Sequence, residues 1–141
     1  MVVRLLATFA ISLALVSCAS FPPRSGSITT ETFMVPALDP GIQLHVRNKH
    51  RTGEAGFEAE RIVLFVHGAT FPSETGFDID LPGGSWMDLA VRRGFDAYFV
   101  DVRGYGRSTR PAAMDQPPEA NAPFADTRDA IRDISAAESS C

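Results

Sequence analysis

Arg61-Ile62-Val63-Leu64-Phe65-Val66-His67-Gly68-Ala69-Thr70 is the stretch around which the chain is organised. The unbroken apolar run at its heart, rich in β-branched residues and closed by Gly68, reads as a strand buried on both faces. Parallel sheets require such strands, and the run is expected at the sheet centre. Beyond it the period changes: residues 85–93 follow a helical pattern, and Ala97-Tyr98-Phe99-Val100-Asp101 returns to an apolar strand. Strand, helix and strand over about forty residues make a βαβ crossover, so the two strands are expected to run parallel in an α/β fold.

In open α/β sheets ligands bind beyond the carboxyl ends of the strands. Here His67-Gly68-Ala69-Thr70 follows the first strand, and Asp101-Val102-Arg103-Gly104-Tyr105-Gly106-Arg107-Ser108 follows the second. With these two motifs in this order and a helix between them, the chain resembles the α/β-hydrolase family over residues 31–138. Members of that family carry a His-Gly-x-x turn after one central strand and an Asp-x-Arg-Gly-x-Gly-x-Ser turn after the next. The resemblance implies hydrolysis of an ester, amide or related bond of a small-molecule substrate by a serine-type nucleophile. It also implies that the backbone N–H of Ala69, with Thr70 as a second contributor, forms an oxyanion hole, while His67 and Gly68 shape the turn. Losing one such donor costs about 3–4 kcal/mol of transition-state stabilisation in other enzymes. Asp101, Arg103, Gly104, Tyr105 and Gly106 form the loop near the site. Local hydrogen bonds from Asp101, Arg103 and Ser108 are expected to fix that loop, and a substrate contact from Arg103 or Tyr105 is the alternative.

The catalytic triad itself is missing from the sequence. No Gly-x-Ser-x-Gly occurs: Gly106-Arg107-Ser108-Thr109-Arg110 lacks the second glycine, and Gly83-Gly84-Ser85-Trp86-Met87 is not preceded by a strand. Such an elbow is where the family holds its nucleophile. Because the resembled domains are roughly twice this length, residues 31–141 are expected to be the N-terminal part of a hydrolase domain. That part is an incomplete sheet, with an N-terminal hairpin, a parallel βαβ unit and a following helix, ending before the nucleophile elbow. The 141-residue chain alone is then expected to be inactive. An aspartate nucleophile, as in dehalogenases, stays open, as does complementation by a separately encoded second half. From a different class, a non-catalytic, lipid-anchored binding module derived from a hydrolase half is the competing reading. Gly104-Tyr105-Gly106 is no dinucleotide loop, since the third glycine is absent and Pro111 stands where a helix should receive the pyrophosphate. No cofactor and no metal are expected.

A net charge of −4 without a basic stripe argues against nucleic acid. At the N-terminus Arg4 precedes an uncharged apolar run from Leu5 to Val16, which ends at Ser17-Cys18-Ala19-Ser20. This describes a secretory signal over residues 1–17, too short to span a bilayer. Leu15-Val16-Ser17-Cys18 further resembles the bacterial lipobox, which makes Cys18 the lipid-attachment residue. Residues 18–30, polar and broken by Pro22-Pro23 and Gly26, form a flexible tether. The expected location is extracytoplasmic, on a membrane through the lipid anchor, with ordinary secretion or a periplasmic location as the alternative. Each buried CH₂ of an acyl chain contributes about 0.8 kcal/mol to such anchoring. Cys141, the other cysteine, is the last residue, and with Cys18 acylated no intramolecular disulfide forms.

The remaining elements follow from local pattern. Residues 31–36 and 42–47 read as a hairpin around Asp39-Pro40-Gly41. Ile42, Leu44 and Val46 lie on its buried face, while Gln43, His45 and Arg47 lie on the wet one. His45 and His50 are expected to be solvated, residues 48–60 to form a loop, and residues 71–84 to be irregular. Ser85 caps the next helix and Gly94 ends it, with Trp86 and Leu89 against the sheet. Residues 109–125, with four prolines, form a loop. A helix from Asp126 or Thr127 then presents Ala130, Ile131, Ile134 and Ala137 on one face. With the far edge of strand 97–101 left without a neighbour, the product is expected to be poorly soluble.

Overall fold

The computed structural model describes residues 25–117, 119 and 127–140. The expected leader, Cys18 and most of the expected tether lie outside these residues. Among the described residues four strands and three α-helices form an α/β arrangement: β1 (Ile28–Pro36), β2 (Gln43–Arg51), β3 (Ile62–Val66), α1 (Ser73–Phe77), α2 (Trp86–Arg92), β4 (Asp96–Asp101) and α3 (Thr127–Glu138). The sheet is mixed, in the order β1-β2-β4-β3. β1 and β2 form an antiparallel hairpin, β2 lies antiparallel to β4, and β3 runs parallel to β4 as the βαβ pattern requires.

The sheet order corrects two expectations: the run 62–66 is not at the sheet centre, and strand 97–101 has a neighbour on both edges rather than an unpaired far edge. β4, not β3, is central, because the hairpin strand β2 pairs along one side of it and β3 along the other. β3 forms the outer edge of the described sheet. Its five residues are all half-buried rather than buried as expected, because an unbroken apolar run does not encode whether a strand has neighbours on both edges. The hairpin is also longer than its alternation suggested, since Ile28, Thr29 and Thr30 extend β1 and residues 48–51 extend β2 in unbroken register.

The alternation of β2 and β4 sends side chains into two cores. On one face Val35, Leu44, Val46 and Val100 meet Ala136 and Ala137 of α3. On the other, Ala97 and Phe99 meet Met87 and Val91 of α2, joined by Ile28, Val63, Phe65 and Phe77. α2 therefore turns a different face to the sheet from the one expected. Met87 and Val91 are fully buried, whereas Trp86 is 65% exposed. In a seven-residue helix that is apolar on most sides, the periodicity does not single out one face. Ser85 does cap this helix, through a capping box with Asp88, and Gly94 follows it at φ +87°.

α3 likewise uses Ala136 and Ala137, with Asp133 buried beside them, and leaves Ile131 exposed. The broken stretch after β3 contains a short helix, α1, where an irregular segment was expected. It is tied down by charge: Arg47 pairs with Glu74 and Asp78, and Lys49 with Asp78 and Asp88. No helix among the described residues is long and apolar enough to cross a membrane.

Candidate functional site

The carboxyl ends of β3 and β4 lie side by side, because Val66 is the register partner of Val100. The turns that leave them, 67–72 and 102–109, are joined by hydrogen bonds. The Val102 N–H donates to His67 Nε2 at 3.1 Å, and the Tyr105 hydroxyl donates to the Ala69 carbonyl at 2.6 Å. His67 Nδ1 lies 2.6 Å from the Gly68 carbonyl. A carbonyl only accepts and an amide N–H only donates, so these partners fix the neutral ring with its proton on Nδ1. His67 thus braces backbone on both sides of the rim. Its ring lies against that of Tyr105, with centroids 4.4 Å apart.

Asp101, at the end of β4, is the hub beneath. One carboxylate oxygen accepts from the Ser73 N–H at 2.8 Å, and the other meets His45 Nδ1 at 2.8 Å and the Arg107 N–H at 3.4 Å. Ser73 also donates its hydroxyl to Val100 O, and Ser108 Oγ bonds both the His45 N–H and Asp101 O. The bonds expected of Asp101 and Ser108 are therefore present. His45 is the correction. It is 1% exposed, stands directly opposite Asp101 in the sheet register and packs edge-on to Phe99. Alternation placed it on a wet face, but α1 and α2 cover that face. His50 is half-buried and its Nδ1 contacts Asn48 Oδ1.

Arg103 is clamped. Its Nε and Nη2 meet the two oxygens of the fully buried Asp133 of α3 at 3.0 and 2.6 Å, and Nη2 also reaches Asp39 at 2.6 Å. The bonds to Asp133 raise the guanidinium pKa above its ordinary value against the opposing effect of burial, and Asp39 adds to the rise. Asp39 in turn is held below the ordinary carboxylate value by its bonds from Arg132 and Arg103. The loop-fixing role expected of Arg103 is thus filled by partners that sequence reading missed. The available signal was Asp133, a carboxylate adjoining the small apolar face of α3.

A cavity of about 300 Å³ opens at this rim. Val66, Ala69, Val102, Met114, Ala130 and Ile134 give it a largely apolar lining, and His67, Arg103, Tyr105 and Asp129 add polar groups. Gly68 and Ala69 line it too, whereas Thr70 does not. All three turn residues are exposed. Among the described residues no hydrogen bond uses the N–H of Ala69 or Thr70. Gly104 and Gly106 stand at positive φ and shape the second turn without lining the cavity. Among the described residues no cluster of three or more His, Cys, Asp or Glu side chains is placed to hold a metal ion. No family model matches the chain, and no curated protein matches it.

Proposed function

We propose that this chain supplies the oxyanion-binding side of an α/β-hydrolase-type active site. The site acts on an ester, amide or related bond, with a serine-type nucleophile and its base supplied by polypeptide outside these 141 residues. One observation carries the reading: the turns after two adjacent parallel strands close around a single apolar cavity, and one of them presents consecutive backbone N–H groups unspent on the fold. Donors of that kind, held in place before a substrate arrives, stabilise the charge that develops on a carbonyl oxygen during acyl transfer. The apolar lining suits the acyl or alkyl part of a small substrate, since such pockets draw most of their affinity from buried apolar surface.

The chain alone is expected to give no turnover of a short activated ester such as p-nitrophenyl butyrate. Extension by the coding sequence that follows residue 141 is expected to restore it if that sequence encodes an elbow. Turnover by residues 19–141 alone, abolished by a single Ser or His substitution, would overturn the division of labour. The lipobox-like Leu15-Val16-Ser17-Cys18 supports an extracytoplasmic, lipid-anchored location. Radiolabelled palmitate is expected in the wild-type chain expressed in bacteria and absent from C18A, and equal labelling of both would sink the anchor.

A further inference from the structure

We infer that the Tyr105 hydroxyl is a positioning group that aims the Thr70 N–H of the turn, as the His67 ring aims the N–H of Ala69, so that the pair receives one small oxyanion. This rests on the oxyanion reading of the turn. In a trans peptide the C=O of one residue and the N–H of the next lie in one plane and point in opposite directions, and no cis peptide occurs among the described residues. Whatever holds a carbonyl therefore sets the direction of the following N–H. The Gly68 carbonyl is held by His67 Nδ1, and the Ala69 carbonyl by the Tyr105 hydroxyl.

The two rings that hold them lie against each other, and each N–H points opposite to the carbonyl that its ring holds. Val102, through His67 Nε2, anchors this pair to the end of β4. Two successive donors held in place suit a carboxylate, a phosphonate or a tetrahedral acyl-transfer intermediate, which offer adjacent acceptor oxygens. Without the hydroxyl, the Ala69–Thr70 peptide unit is free to rotate at this exposed turn, while the Gly68–Ala69 unit keeps its brace.

The test is titration of the full chain with phenylphosphonate, followed by the ¹⁵N–¹H resonances of Ala69 and Thr70, in wild type and Y105F. Both amides are expected to move in wild type. In Y105F the Thr70 response is expected to fall, with about two- to tenfold weaker binding, while the Ala69 response survives. A purely structural role for Tyr105 would lower the melting temperature and leave the Thr70 response unchanged, which overturns the proposal but not the oxyanion reading. Failure of both amides to respond in wild type overturns that reading, and this inference with it. Should Y105F not fold, the wild-type chain decides through the Ala69 carbonyl carbon. A hydrogen–deuterium isotope shift transmitted from the tyrosine hydroxyl supports the bond, and its absence overturns it.

Discussion

Gly106 shows what single residues contribute at the rim. It stands at φ +51°, and a Cβ placed there would overlap the Asp101 carboxylate. Any L residue thus meets both backbone strain and a collision with the hub that holds His45 and Ser73. Gly53, at φ +84°, has open space where its Cβ would go. Urea unfolding is expected to show G53A losing about 1–2 kcal/mol, the cost of the left-handed conformation alone. G106A is expected to lose more than that, and equal losses would show that the contact with Asp101 carries no weight. Gly104 differs: at φ +83° it shares the backbone strain, but only the flexible tip of Met114 stands where its Cβ would be.

Among the elements, α2 and the charged ties around it give the sharpest tests. Met87 is fully buried and Trp86 is mostly exposed. M87A is therefore expected to cost about 2–5 kcal/mol, and W86A a good deal less despite removing a larger side chain. The opposite ranking in urea unfolding would mean that the helix is rotated. Charge binds the elements in a pH-dependent way. For Asp88, burial pushes the pKa upward, but the Ser85 N–H, Lys49 and Arg92 outweigh it and leave the carboxyl below its ordinary 3.8. Asp39 is lowered by Arg132 and Arg103.

When a carboxyl is more acidic in the folded chain, the unfolded chain takes up the proton first as pH falls. The stabilisation is complete above the unfolded value of 3.8 and drains away as pH drops through the folded one. D39N is thus expected to be less stable than wild type at pH 7, with the gap closing below the unfolded value. A gap that widens in acid would reverse the sign of the linkage. Lys49 behaves oppositely. Burial works to lower its pKa, yet Asp78 and Asp88 raise it above 10.5, so its contribution is complete below 10.5 and drains away as pH rises from there through the folded value.

For the whole molecule, the notable feature is the outer edge of β3, which has no strand beside it among the described residues. An unpaired edge of apolar residues is a template for pairing with another chain. The chain alone is expected to self-associate as its concentration rises, which light scattering or sedimentation would register. A monodisperse monomer with a sharp cooperative melt would contradict this. The same edge lies beside the His67–Thr70 turn, so a strand that pairs there parallel to β3 would carry its own carboxyl-end residues toward the proposed oxyanion donors.

The parallel βαβ unit, the Ser85 cap, the Gly94 stop and both rim turns were legible in the sequence. Each is encoded by short-range features: an unbroken apolar run, a hydroxyl at a helix start, glycines where φ must be positive. The turn-shaping role of His67 came from the family resemblance of its His-Gly-x-x motif rather than from local pattern. What the chain did not disclose locally was decided by tertiary structure. Position within the sheet depends on which strands find each other, and nothing inside 62–66 or 96–101 encodes that the distant hairpin strand β2 pairs with β4. Its arrival buried His45 opposite Asp101, just as the docking of α3 joined Asp133 to Arg103 across thirty residues. Burial of a polar side chain is set by partners remote in sequence that satisfy it, so no window of local pattern holds the answer.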